Sequence, residues 1–182
     1  EGVVVIDLGA GASEVAVLAS GYVLSPRPRR AGGDAMDEAL RDYVRRTRAV
    51  DLSPASAEKV KLSLASAVPS EARTVQAPGR NLGTGLPGRV EISSADVHEA
   101  LRPVLEGIVE EIREVLREIP ADLVADLSRQ GAVLTGGVAA MPGLARYLED
   151  QTGLAMRGAD DPARGSSGPA PSPSSSWRRP SS

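Results

Sequence analysis

The chain has 182 residues, 41% hydrophobic and 25% charged, enough for one good domain or two small subdomains around a sizeable core. Phe is absent, aromatics make up 2% and the net charge is -3, which argues against a base-stacking platform or a general phosphate-backbone binder, so no nucleic-acid partner is expected. With no Cys and one His, disulfides, thiolate sites, a Cys nucleophile and a His-based metal cluster are excluded.

Val3 to Leu8 is a β-branched apolar run that ends at Gly9-Ala10-Gly11. Ser13 to Leu18 is again strand-like and Gly21-Tyr22 opens a third strand, so the start reads as a hairpin around a Gly turn. Gly32-Gly33-Asp34 stops the sheet pattern with Asp34 as the expected N-cap, and Met36, Leu40, Tyr43 and Val44 follow at helical spacing. A second helix is predicted from Ser53 or Pro54 to about Ala65. Two short strands, Arg73 to Gln76 and Arg89 to Ile92, flank a Gly-rich loop. Ser93 or Ser94 then caps a long amphipathic helix. Val97, Leu101, Leu105, Ile108, Ile112, Val115 and Ile119 form its inner face, with Glu110, Glu111, Glu114 and Glu118 outward. Pro103 is expected to kink or break it. A short helix follows Pro120, Ala132 to Leu134 is a buried strand, Thr135-Gly136-Gly137 a turn, and Leu144 to Leu148 part of a further helix. From about Asp161, Gly, Pro, Ser and Arg dominate without apolar period, which predicts a disordered tail. Trp177-Arg178-Arg179 within it is too sparse for a membrane anchor. No apolar run is long enough to cross a bilayer and no signal peptide opens the chain. A start at Glu1 suggests a fragment or a misassigned start.

Three segments carry possible chemistry. In Asp7-Leu8-Gly9-Ala10-Gly11-Ala12-Ser13, bare glycine backbone lets N–H groups approach phosphate oxygens, and an Asp at a strand end can hold a hydrated Mg²⁺. An ordinary hairpin turn has the same composition. Glu58 and Lys61, three apart, project from one helix face; a carboxylate can accept from a ribose hydroxyl, and a Lys stem can lie along a sugar or base. A solvated charged face is the alternative. Strand, Gly pair and helix in Val133 to Met141 make a place where a ligand rests on backbone, or simply a tight turn. His98, between Asp96 and Glu99, lacks catalytic partners and reads as a surface residue.

In this order the segments resemble the second large domain of the actin-like ATPase superfamily. The family patterns are D-x-G-x-G-T-[TS], G-G-D-x-x-D, E-R-x-K and T-G-G-G, which stand here at Asp7 to Ser13, Gly32 to Asp37, Glu58 to Lys61 and Thr135 to Val138. Gly79-Arg80-Asn81-Leu82 with Gly85-Leu86-Pro87 is similar to the V-x-G-R-N-L-x-x-G-x-P segment of the MreB-type cell-shape family, and Tyr43-Val44-Arg45-Arg46 resembles that family too. The resemblance spans about Gly2 to Asp161.

It implies an α/β, actin-like (ribonuclease-H-like) domain at 1–31 and 95–160, an inserted α+β subdomain at 32–94, and a tail at 161–182. It implies ATP or GTP with Mg²⁺. Asp7 would orient the metal through water, and the backbone of Gly9, Ala10, Gly11 and Ala12 would hold phosphates. Glu58 and Lys61 would hold ribose and base, and Gly136, Gly137, Val138 and Ala139 would lie under the nucleoside. It further implies a cytoplasmic, membrane-associated protein that polymerises with itself or with intact filaments and guides wall synthesis at the inner membrane face. Three residues depart from the pattern. Ala10 replaces the middle Gly, Ala12 a Thr whose hydroxyl lies near the terminal phosphate, and Val138 the third Gly of the adenosine turn. The first domain and the closing helix are missing from the match, so hydrolysis by this chain alone is not expected. Two other classes compete: a sugar kinase of the same superfamily, against which the Gly79 to Pro87 match speaks, and a degenerate module that docks on filaments without binding nucleotide.

Overall fold

The computed structural model describes residues 2–19, 22–24 and 29–158. The expectations for 161–182, Trp177 included, lie outside the described residues.

Strands β1 (Gly2–Leu8) and β2 (Ser13–Ala19) form the expected hairpin, in register from Gly2 opposite Ala19 to Leu8 opposite Ser13. Their period of two buries Val4, Ile6, Leu8, Val15 and Val17 completely and leaves Asp7 exposed at the strand end. A short β3 (Tyr22–Leu24) pairs with β2.

Helix α1 (Gly33–Arg48) buries Met36, Leu40 and Val44. Its N-cap is Gly32, and Asp34 lies inside the first turn rather than capping it. The reason is that the hairpin turn does the capping: the N–H groups of Gly33 and Asp34 donate to the carbonyls of Gly9 and Ala10, at 3.0 and 2.7 Å. The helix ends on Ala49, left-handed at φ 52°. Strand β4 (Val50–Leu52) follows, too short to leave a periodic signal. Helix α2 (Pro54–Leu64) starts as expected, with the Ser53 side chain accepting from Ser56 N–H and Pro54 in the first turn.

Strands β5 (Thr74–Asn81) and β6 (Pro87–Ser93) are longer than the sequence suggests, paired from Thr74–Ser93 to Arg80–Pro87. Gly79-Arg80-Asn81, read as loop, belongs to β5 because β4 covers it: a Cβ on Gly79 would stand 2.5 Å from Val50 Cγ1. Helix α3 (Ser94–Glu118) is capped by Ser93 in a reciprocal capping box with Asp96. It runs unbroken through Pro103, held by buried Leu101 and Leu105 on either side. Its inner face is as expected with one correction: Glu111 points inward and is 1% exposed. Helix α4 (Ala121–Gln130), strand β7 (Ala132–Thr135), a 3-10 turn at Gly137–Ala140, helix α5 (Leu144–Thr152) and strand β8 (Met156–Gly158) complete the described chain.

The strands form two sheets, β3-β2-β1-β7-β8 and β4-β5-β6. Helix α3 packs on β2, α1 joins α3 to α2 and β4, and α4 lies on β1. Because β7 runs parallel to β1, with Asp7 beside Thr135, the 9–12 turn and the Gly136 turn open at the same end of the sheet. The start of α1 closes on them.

Candidate functional site

Asp7 is the last polar residue of β1, beside Thr135 and opposite Glu14. The chain leaves β7 through Gly136 at φ 91°. A Cβ there would lie 2.4 Å from Leu8 O and 2.6 Å from Asp7 Oδ1, so only glycine fits by conformation and by space. Asp7 and Gly136, far apart in sequence, are thus in contact.

The 9–12 turn is closed by the Gly9 N–H donating to Ala12 O at 3.0 Å. Neither Ala10 nor Ala12 has positive φ; among the described non-glycine residues only Ala49 does. Ala10 therefore sits in the place of a glycine without backbone strain. The glycines behave differently from Gly136. A Cβ on Gly9 would meet nothing nearer than Ala12 O at 3.5 Å, one on Gly11 nothing nearer than Asp34 Oδ2 at 4.0 Å, and one on Gly137 nothing within 4 Å. The fold leaves room for side chains at all three, yet bare backbone stands there around an exposed carboxylate. That is the surface a phosphate-bearing ligand needs, since amide N–H groups reach it only where no Cβ intervenes.

Val138 is 3% exposed, and its Cγ2 lies 3.6 Å from where a Cβ on Gly33 would be. The side chain that replaces a glycine here turns into the core, away from the exposed Gly136–Gly137 backbone; Ala139 is half-buried beside it. Glu58 is half-buried on α2. Lys61 does not share its exposure: at 3%, its ammonium donates to Gly33 O at 2.9 Å and pairs with Asp37 Oδ1 at 2.8 Å. The two side chains leave one helix face but differ in burial. Burial raises the Asp37 carboxyl above the usual carboxylate range, against the pull of the Lys61 ammonium, with the Glu58 and Asp34 charges adding to the rise.

A second buried acid flanks the turn. Ser13 shares the inward face of β2 with Val15 and Val17, and its hydroxyl donates to Glu111 Oε2 at 2.6 Å. Glu111 Oε1 is buried with no hydrogen-bond partner, and burial pushes this carboxyl up as well. His98, read as a surface residue, is half-buried, with its Nδ1 3.2 Å from Ser66 O. Tyr43 donates instead to Asp96 Oδ1 at 3.1 Å, which ties α1 to the α3 cap. Burial alone would raise Asp96, but the Ser93 N–H and hydroxyl and the Tyr43 hydroxyl hold it below its ordinary value.

Sequence reasoning gave no role to Gly33, Asp37 or Glu111. A signal for Glu111 existed: Leu101, Val104, Ile108, Glu111 and Val115 follow the alternating spacing of three and four that marks one buried helix stripe. Among the described residues no group of three or more acidic or His side chains is arranged to hold a metal.

The family model for MreB/Mbl proteins matches residues 1–167. The chain is 40% identical over 162 residues to the cell shape-determining protein MreB of Escherichia coli K12, an alignment covering 88% of this chain and 47% of that protein. It is 29% identical over 162 residues to the cell shape-determining protein Mbl of Bacillus subtilis 168, covering 88% and 49%. Among solved structures, MreB5 of Spiroplasma citri bound to AMPPNP superposes with a TM-score of 0.83 at 29% identity, over 88% of this chain and 49% of that one; the same protein bound to ADP gives the same values. The MamK double helical filament, at 21% identity and a TM-score of 0.70, shares the fold, over 88% and 50%. The chain spans about half the length of the relatives it matches.

Proposed function

Since the chain belongs to the MreB/Mbl family and has its actin-like fold, we propose that it is the nucleotide-binding second half of a bacterial cell-shape filament protein. The single observation that carries this reading is the bare backbone at Gly9, Gly11 and Gly137 around exposed Asp7, where the fold itself asks for no glycine. The capture of AMPPNP and of ADP by MreB5 of Spiroplasma citri supports the ligand class. In this reading the 9–12 turn holds phosphates through the N–H groups of Ala10, Gly11 and Ala12, with the Gly9 N–H closing the turn on Ala12 O, and Gly136 to Ala139 lie under the nucleoside. Glu58 and the stem of Lys61 border ribose and base. One carboxylate, Asp7, fits a divalent cation held through water, which would neutralise phosphate charge; a direct metal cage does not fit. The adenosine-bound lobe is 1–31 with 95–160, and 32–94 is the inserted one. Self-association into filaments, docking at the inner membrane face and guidance of wall synthesis belong to the same proposal, supported by relatives named for cell shape and by the MamK filament.

The alternative of a module that binds no nucleotide rests on Ala10, Ala12, Val138 and the C-terminal departure from the family pattern. Ala10 is unstrained and Val138 turns inward, so two of the three substitutions leave the ligand-facing backbone as it was.

Titration of the chain with ATP, ADP and adenosine by calorimetry or NMR tests the reading. One wall of a site leaves the ligand open to water, so affinity is expected near the millimolar range, about -4 kcal/mol. ADP and ATP should bind alike, because the Thr hydroxyl that the family places at the terminal phosphate is an Ala here. No binding at several millimolar would sink the proposal; micromolar ATP binding with clear preference over ADP would mean a complete phosphate cradle.

A further inference from the structure

Gly33 stands where three parts of the site meet. Its N–H donates to Gly9 O at 3.0 Å and its carbonyl accepts from Lys61 Nζ at 2.9 Å. A Cβ on it would lie 3.4 Å from Lys61 Nζ, 3.6 Å from Val138 Cγ2 and 3.7 Å from Ala10 Cα. The next N–H, of Asp34, holds Ala10 O at 2.7 Å. Gly32 before it is packed so tightly that a Cβ would come within 2.4 Å of Gly9 O and 2.6 Å of Ala10 O. Helix α1 thus has no side-chain cap because the carbonyls of the phosphate turn cap it.

With those carbonyls committed to α1, they point inward, away from the exposed face of the turn. Lys61 reaches the same joint from α2. Its ammonium is buried, sits on the carbonyl of the residue whose N–H holds Gly9, and is fixed by Asp37 one helical turn further along α1. A charge so placed cannot also lie in a solvent-open ligand site without leaving both partners.

Resting on the nucleotide reading above, we infer that Lys61 is a positioning residue for the phosphate turn, acting through Gly33, and that Asp37 serves by holding the Lys61 ammonium there. The chain α2–Lys61–Gly33–Gly9 couples the nucleoside side of the site to its phosphate side through one ammonium-to-carbonyl and one backbone hydrogen bond. The nucleoside gains from Lys61 only the contact of its methylene stem.

The test uses the 182-residue chain with Lys61→Met, which keeps the stem and removes the charge, and Asp37→Asn, which keeps the shape and loosens the ammonium. Two readouts are taken. In nucleotide titrations the ratio of ADP to adenosine affinity should fall about 5-fold or more in Lys61→Met, and Asp37→Asn should move the same way by less. Equal losses for adenosine and ADP would mean direct contact of the ammonium with the nucleoside and overturn the inference. In ligand-free protein, exchange of the Gly33 and Asp34 amides should speed up about 10-fold or more, while the Ala49 amide at the far end of α1 keeps its rate. Unchanged rates at Gly33 and Asp34, or equal acceleration at Ala49, would overturn it, the second because Lys61 would then only stabilise the helix. The exchange readout needs no ligand, so absence of binding in the parent chain defeats the functional reading while leaving this inference under test.

Discussion

A single atom, Glu111 Oε1, buried without a partner, gives the protein a pH dependence at the residue scale. The folded carboxyl titrates above its ordinary range, so the folded state holds the proton more tightly than the unfolded chain. Its stabilising contribution is present below the ordinary glutamate range and is lost as pH rises through that range to the raised folded value. Arg29 favours the charged form from one side, while Glu114 and Glu14 oppose it. Glu111→Gln keeps an acceptor for Ser13 and removes the ionisation. Urea unfolding between about pH 4 and pH 8 should show the loss in the parent and a flatter profile in the variant, which should be the more stable by about 1–3 kcal/mol at neutral pH. Ala49 is a second local case. Its left-handed φ of 52° costs a non-glycine residue about 1 kcal/mol, and Ala49→Gly should recover that amount in the same measurement.

Among the elements, α3 packs on β2 of one sheet and on β6 of the other, and its start and its interior differ in how well they are secured. The Ser93–Asp96 capping box should make Ser93→Ala cost about 1 kcal/mol. Pro103, in contrast, takes away a helical hydrogen bond in the interior, and Pro103→Ala should raise the melting temperature, by a stabilisation of about 3 kcal/mol at most. A fall in stability there would mean that Pro103 shapes the helix for its packing on β2. These elements show what sequence reveals. The hairpin, α2 and α3 were legible because Val4, Ile6, Val15 and Val17 alternate, Ser53-Pro54 starts a helix, and Val97 to Val115 repeats at helical period. β4 and β8 span three residues each and offer no period to read. The resemblance groups Asp7, the Gly turns and Glu58 as one expected site, and the structure brings Asp7 and Gly136 into contact. The inward course of Lys61 was not legible, because its partners Gly33 and Asp37 come from α1 and only tertiary packing brings them within reach. The charge of Glu111 alone points to solvent, whereas its place in the buried stripe of α3 puts it inside.

In the proposed reading, the described residues offer a nucleotide one wall: the 9–12 turn, the Gly136 turn and the exposed carboxylate of Asp7. Phosphoryl transfer needs metal, clamps and a water-positioning group in one closed site. The isolated chain should therefore release no phosphate from ATP above background, even at high protein concentration. Turnover that disappears in Asp7→Ala would show this to be wrong. The sheet order has a consequence for how that wall comes into being. β1 finds β2 across a four-residue turn, but its other neighbour is β7, with Val4 beside Ala132 and Asp7 beside Thr135. A hairpin of this kind closes within microseconds, whereas the parallel pairing must wait until more than a hundred further residues exist. At a ribosomal pace of about 5–20 residues per second, the β7 side of β1 stays open for on the order of ten seconds. During that interval the 9–12 turn can close on its own Gly9–Ala12 hydrogen bond, while Gly136 has yet to be made. The growing polypeptide thus carries an unpaired apolar strand edge, Val3-Val4-Val5-Ile6, whose capture by other chains competes with the arrival of β7.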